Sequence, residues 1–429
     1  MRLDKKLYIE HVKRFIKNKD AKYAVSKELL YHIEQEKRRL MESASLSDEE
    51  AESEAVKRMG NPDEVGKHFN KLYRNKTDWW MIVLLIMSAG FSFLPVLLYN
   101  QEIGNLLESQ VVYTLMGIGV AAALFFIDYR KLKTWGAIFY AIGILGLLAF
   151  LYGPVSYIIG QPVLKVGPGF IKMIYMTPLF ILGFSSFLSR PGAKLWQGLC
   201  LLAVPLYLYL NLSDYISAGI LLMAFLTMAW SLHLNRKALV WLSGGTVLVT
   251  AILLWFAPLK EYQLARLFAF FLPEDYPDSH GYVYLRMQEM LSEAKWIGKG
   301  GDLHGIPSGH ADYVWVTLTY NYGWIVSLLT VLVLLSLMVR LFTVNLKTSD
   351  RFGKMLVMGG VAFYSVPLLY HLFMSFGLLP FMSFYLPFLS YGFHPMVLHA
   401  VVFGLALSVY RKKDILEVVS DNKTMKQED

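Results

Sequence analysis

The chain has 429 residues, 55% of them hydrophobic and only 17% charged, whereas a soluble globular domain carries about 25% charged and about 45–50% apolar residues. That excludes an ordinary soluble domain and predicts a polytopic membrane protein. The net charge of +8 calls for no nucleic acid, because basic residues beside membrane spans produce it, and the single cysteine, Cys200, excludes a disulfide framework and a cysteine metal site.

Charge is concentrated at the start. Residues 1–76 hold 32 of the 74 Asp, Glu, Lys and Arg residues, 18 basic and 14 acidic, which sets this stretch apart as a helical domain ahead of the membrane part at 77–429. Apolar residues recur at helical spacing in Leu7, Val12, Phe15 and Ile16 and in Val25, Leu29, Leu30 and Ile33. Ser47 with Glu50 predicts a capping box, and Gly60-Asn61-Pro62 ends the helix that follows. Nothing in this domain has a catalytic pattern, and docking or regulation is the expected role. ELLYHIEQE and MGNPDEV resemble the permease-prefix domains that precede some bacterial membrane proteins.

From Trp79 onward come ten apolar runs long enough to cross a ~30 Å hydrocarbon core: Trp79–Tyr99, Val111–Ile127, Thr134–Tyr152, Phe170–Ser189, Leu195–Leu212, Tyr215–Leu232, Ala238–Pro258, Tyr322–Phe342, Gly353–Phe373 and His394–Tyr410. The predicted fold is all-α, a multi-pass bundle of about ten transmembrane helices behind the small helical domain. Arg130, Lys131 and Lys133, then Arg190 and Lys194, Arg236 and Lys237, Arg340 to Lys354, and Arg411 to Lys413 make every even-numbered exit basic. The positive-inside rule then puts both termini in the cytoplasm and the polar insert 259–312 outside.

The insert carries the candidate chemistry. His310 and Asp312 stand directly before the eighth span, where Asp312 is either a helix cap or a catalytic carboxylate. Arg286, Lys295 and Lys299 are candidate phosphate-binding cations. Asp214, between the fifth and sixth spans, is a cap or part of a polar cavity. No Gly-x-x-x-x-Gly-Lys loop is present, so an outward-facing site has to draw an activated donor from the membrane or pass a solute.

The segments Arg266-Leu-Phe-Ala-Phe-Phe-Leu-Pro-Glu-Asp and Ile306-Pro-Ser-Gly-His-Ala-Asp-Tyr313 resemble the SEDS (FtsW/RodA/SpoVE) family. That family has a Pro-x-x-His-(Thr or Ser)-Asp-Phe motif before its eighth span. Asn211-Leu-Ser-Asp214-Tyr, Gly377-Leu-Leu-Pro380 and Leu386-Pro-Phe-Leu-Ser-Tyr-Gly392 are similar to further family signatures, and the likeness covers about residues 79–412. The resemblance implies a peptidoglycan glycosyltransferase of the bacterial cytoplasmic membrane, polymerising lipid II in growth, division or sporulation beside a class B penicillin-binding protein. It implies Asp312 as general base toward the acceptor sugar. Lys295, Lys299, Arg286 or a divalent cation such as Mg or Mn would steady the leaving undecaprenyl diphosphate.

The chain departs from the family in four places. Tyr320-Asn321 stands for a Glu-Glu pair, Val166-Gly-Pro-Gly-Phe-Ile-Lys172 for Gln-Pro-Ser-Glu-Phe, Leu291-Ser-Glu-Ala294 for Gly-Ser-Gly-Gly, and Ser390-Tyr-Gly-Phe-His394 for Ser-Tyr-Gly-Gly-Ser. A non-catalytic scaffold for a penicillin-binding protein and a lipid-linked precursor transporter are the alternative readings. The scarcity of ionisable residues within the spans argues against ion-coupled transport.

Overall fold

The computed structural model describes residues 4–44, 46–158, 161–166, 169–231, 240, 244, 245, 248, 261–279, 281–301, 306 and 308–413. The chain divides into two compact units; described residues 4–77, 347–350 and 410–413 belong to the first and most of the remainder to the second.

In the first unit, α1 (Lys5–Phe15), α2 (Lys19–Ala44), α3 (Asp48–Arg58) and α4 (Pro62–Leu72) follow one another. Local chemistry sets their ends: Asp4 caps α1, Glu50 accepts the Ser47 backbone N–H at 3.2 Å, and Gly60 takes φ +86° just before Pro62 opens α4. Val12, Ile16, Val25, Leu29 and Ile33 of the predicted stripes turn inward and share one buried core with Tyr8, Ile9 and Val56. Leu7 and Leu30, placed in those stripes by spacing, are exposed instead.

The second unit is a helical bundle. α5 (Trp79–Phe91) and α6 (Phe93–Ile103) run nearly on, broken at Ser92, where Pro95 cannot donate to the carbonyl four residues back. Then come α7 (Leu106–Phe126), a 3-10 turn leading into α8 (Gly136–Tyr152), and a sheet of β1 (Val155–Ile158), β2 (Gln161–Val166) and β3 (Gly169–Lys172). After it follow α9 (Thr177–Leu188), α10 (Leu195–Asn211), α11 (Tyr215–Trp230), α12 (Glu261–Phe271), α13 (Tyr282–Glu293), α14 (Val314–Tyr322), α15 (Trp324–Leu346), α16 (Arg351–Ser375) and α17 (Phe393–Lys412).

Among the described residues, six helical stretches are long and apolar enough to cross a membrane: Trp79–Tyr99, Leu106–Phe126, Tyr129–Tyr152, Trp324–Leu346, Arg351–Ser375 and Phe393–Lys412. Met173–Leu188, Leu195–Asn211 and Tyr215–Trp230 are shorter apolar helices at the fourth to sixth predicted positions. The seventh predicted span, Ala238–Pro258, lies almost wholly outside the described residues. The fourth requires a correction, because it does not begin as helix at Phe170. Gly169–Lys172 is a strand paired antiparallel with β2, Lys172 opposite Val163 and Phe170 opposite Lys165. Glycine at 167 and 169 disfavours helix there, and the helix waits for Thr177-Pro178, where proline suits the first turn.

Helices α9, α16 and α17 are largely buried, whereas α7 and α8 turn Leu115, Ile118 and Leu145 outward, as lipid-facing spans do. Small residues let helix backbones approach closely. A Cβ on Gly136 would strike Ser186 of α9, and one on Gly404 would strike the backbone of α7 at Ala121. Asp78, which caps α5, is fully buried and pairs with Arg340 of α15 at 2.7 Å.

Candidate active site

The His310–Asp312 motif is a tight turn held from two directions. Within it, Ser308 takes φ +59°, and its carbonyl accepts the N–H groups of Ala311 (2.9 Å) and Asp312 (3.0 Å). From outside, the segment joining α16 to α17 clamps it. Tyr391 N–H donates to His310 O at 3.0 Å, and Ser390 Oγ donates to Ala311 O at 2.7 Å while accepting Leu386 N–H at 2.9 Å. The predicted loop signature 386–392 is therefore a clasp on the predicted motif. The capping position of α14 is Tyr313, where no side-chain cap hydrogen bond is made, so Asp312 does not serve as its N-cap.

Lys172, the last residue of β3, brings a cation to this carboxylate. Its Nζ donates to the Tyr385 hydroxyl at 3.1 Å and lies 5.1 Å from that ring's centroid. Burial pushes the Lys172 ammonium below the usual lysine range, and the Asp312 charge pulls it partly back. Burial, then the same Asp312 charge, push the Tyr385 phenol above the usual tyrosine range. A carboxylate, an ammonium and a phenol from three distant segments thus share one partly buried field. The His394 ring stands edge-on to Tyr385, centroids 4.1 Å apart.

His310 lies between aromatic rings, 5.3 Å from Tyr99 and 5.5 Å from Tyr391. Burial lowers its pKa below the usual histidine range, so the ring is neutral at neutral pH. Gly309 is required by close approach, since a Cβ there would collide with the Tyr99 hydroxyl and Thr317 Oγ1.

The other predicted residues have partners of their own. Asp214 caps α11, its Oδ1 accepting Ser217 N–H at 3.0 Å; burial pushes its carboxyl up, and the Ser217 bonds oppose that. Its own N–H donates to Tyr209 O at 2.9 Å, and the Tyr209 hydroxyl bonds Thr177 Oγ1 at 3.0 Å and donates to Met173 O at 3.3 Å, one residue from Lys172. Arg286 pairs with Glu289 one turn along α13 at 2.6 Å.

Lys295 and Lys299 are exposed, on a segment bound to the far end of α14. Gly300 N–H donates to Tyr320 O at 2.8 Å, Gly298 N–H to Tyr322 O at 3.2 Å, and Trp324 N–H to Lys295 O at 3.0 Å. Asp312 precedes the opposite end of that nine-residue helix, about 13 Å away at 1.5 Å per residue. Lys172 is a cation close enough to Asp312 for the two charges to act on each other. Reasoning from sequence proximity missed it, although a lysine at the mouth of an apolar run was a usable signal. Among the described residues no group of three or more His, Cys, Asp and Glu side chains is placed to hold a metal ion.

The arrangement suits proton removal by Asp312 next to stabilisation of an anion by Lys172. Comparison with known proteins bears on the family and the fold. The model of the FtsW/RodA/SpoVE family, described as cell cycle proteins, matches residues 72–415. The peptidoglycan glycosyltransferase MrdB of Escherichia coli K12 is 23% identical over 367 residues, covering 80% of this chain and 98% of that protein. A probable peptidoglycan glycosyltransferase FtsW of Nitrosomonas europaea is 24% identical over 321 residues, covering 71% and 82%. Among solved structures, a chain of a peptidoglycan synthase complex, described for its structural coordination of polymerization and crosslinking, aligns with a TM-score of 0.67 at 22% identity, covering 79% of this chain and 98% of that one. The rod shape determining protein RodA of Thermus thermophilus aligns at 0.57 and 18%, covering 79% and 97%.

Proposed function

The chain belongs to the FtsW/RodA/SpoVE family, and from that premise we propose that it is a peptidoglycan glycosyltransferase that polymerises lipid II at the outer face of the cytoplasmic membrane. The observation that carries the reading is the meeting of Asp312, Lys172 and Tyr385. The Asp312 carboxylate takes the proton from the acceptor sugar's 4-hydroxyl as that oxygen attacks the donor's anomeric carbon. A carbon–oxygen bond forms on one face while the bond to the diphosphate breaks on the other. The electron pair leaves with undecaprenyl diphosphate, and inversion gives a β-1,4 link. The Lys172 ammonium stabilises the charge that accumulates on the departing phosphate.

His310, neutral and enclosed by Tyr99 and Tyr391, orients the turn that carries the base. Lys295 and Lys299, on the segment bound to the far end of α14, are assigned to the rim, while Asp214 caps α11 and Arg286 pairs with Glu289. Among the described residues a lysine and no second carboxylate acts on Asp312, a donor set that does not fit a resident Mg or Mn ion.

The basic even-numbered exits support a topology with both termini cytoplasmic and Asp312 outside. A class B penicillin-binding protein is the proposed partner, in keeping with the synthase complex to which one structural neighbour belongs. The test is lipid II polymerisation by purified protein, with and without that partner, comparing wild type with Asp312→Asn. Polymer from the wild type and none from an equally folded variant is the expected result; no polymer from either would leave the scaffold reading in possession.

A further inference from the structure

Three buried histidines, His371, His394 and His399, lie on α16 and α17. Two are tied to the backbone: His371 Nδ1 donates to Phe384 O at 2.7 Å, and His399 Nδ1 to Pro395 O at 2.8 Å. A ring whose Nδ1 carries the proton presents only a lone pair at Nε2, so these two are structural. His394 differs in its surroundings. It is 9% exposed, and its Nε2, like those of His371 and His399, has no hydrogen-bond partner among the described residues; but its ring stands edge-on against Tyr385 at 4.1 Å. Tyr385 in turn holds the Lys172 ammonium at 3.1 Å, close enough to His394 for the lysine's charge to act on it. A buried polar nitrogen left without a partner is unfavourable, and such orphans in native structures mark places that a ligand or water completes. This position is also where the chain replaces the serine of the family's Ser-Tyr-Gly-Gly-Ser pattern with histidine, while the stretch leading to Lys172 loses its acid.

We propose that His394 is a substrate-binding residue of this chain, whose Nε2–H donates to a diphosphate oxygen alongside Lys172, so that lysine and histidine together form the diphosphate subsite. This rests on the glycosyltransferase reading for its biological ligand. The chemistry itself is simpler: a diphosphate offers several acceptor oxygens to a paired cation and N–H donor. The lost acid and the gained imidazole act in the same direction, making the pocket less negative where the leaving group sits.

The test uses the full-length protein and its His394→Leu and His394→Gln variants. Glutamine is chosen because its amide nitrogen falls near the place of Nε2. Binding of inorganic pyrophosphate is followed by calorimetry, and lipid II polymerisation is followed in parallel. His394→Leu is expected to weaken pyrophosphate binding about ten- to hundredfold, the effect of one charge-assisted hydrogen bond, and to raise the KM for lipid II more than it lowers kcat. His394→Gln is expected to recover most of both, with all three proteins melting alike. Unchanged pyrophosphate binding in His394→Leu, or equal losses in both variants accompanied by lowered melting temperatures, would overturn the assignment, as would a wild type that does not bind pyrophosphate. A wild type that binds pyrophosphate through His394 yet makes no polymer would uphold the subsite and remove the glycosyltransferase reading. Lipid II responding to the substitution while free pyrophosphate does not would also overturn the assignment, because the loss would then lie in sugar or lipid contacts.

Discussion

Replacement of Lys172 by methionine tests the cation on which the proposed chemistry depends. An ammonium about 4 Å from developing phosphate charge, at an effective dielectric of about 20, contributes about 4 kcal/mol. At about 1.4 kcal/mol per tenfold in rate, the upper bound is roughly 10³-fold. Burial already disfavours the ammonium, so Lys172→Met is expected to lower kcat about 10²-fold, in the range seen when one transition-state donor is removed. The strand should survive, because Lys172 meets Val163 through backbone pairing and methionine keeps the unbranched stem. Lys172→Arg keeps the charge but not the point geometry and should fall between. Lipid II polymerisation is measured as a function of pH, with thermal melting as the control for folding. Since burial holds the ammonium below the usual lysine range, wild-type rate falls as pH rises through that lowered value, and Lys172→Met loses this alkaline limb. An equally folded Lys172→Met within about fivefold of wild type would refute the reasoning and return the search for the cation to Lys295, Lys299 and Arg286.

Three further outcomes follow from the geometry. Ser390→Ala removes the hydroxyl shared by Ala311 O and Leu386 N–H; polymerisation should drop about tenfold through loss of about 1–2 kcal/mol of positioning, and an unchanged rate would show that the clasp does not orient Asp312. Gly309→Ala forces a methyl against Tyr99 and Thr317 and should cost about 1–3 kcal/mol of stability by melting, partly recovered by adding Tyr99→Phe. Arg340→Met leaves the buried Asp78 carboxylate with its cap N–H but without its cation; it should destabilise the protein by about 3 kcal/mol, near the low end for breaking a buried pair, and Asp78→Asn added to it should restore much of the loss.

Hydropathy made the spans legible because long apolar runs have few other uses. It failed at Phe170–Ser189, where apolar character extends across a strand, a 3-10 turn and a helix, and a window average cannot separate them. The strands were illegible for the same reason, since four to six residues in an apolar context carry no distinguishing period. The motif around Asp312 could be read because its polarity interrupts that background. Its cation could not be read by nearness in the chain, because α14 carries Lys295 and Lys299 to its far end while β3 returns Lys172 from an earlier hairpin.

The reacting groups all lie on irregular backbone or at its edge, and that choice has a physical consequence. Irregular backbone buried in protein survives only if its polar groups are satisfied, and here side chains do much of this. Besides the Ser390 clasp, Phe381 N–H donates to the Tyr284 hydroxyl at 2.6 Å, the Tyr370 hydroxyl to Pro380 O at 2.8 Å, and His371 to Phe384 O at 2.7 Å. The residues that make the segment 376–392 stable in that setting are thus the ones that hold Tyr385 against Lys172 and the motif turn against Tyr391. Fold stability and site geometry are then coupled, and substitutions at Tyr284 or Tyr370, which the reaction does not use, should lower kcat and the melting temperature together. A change at Lys172 should lower kcat alone, and it is this contrast that separates a support for the site from a participant in it.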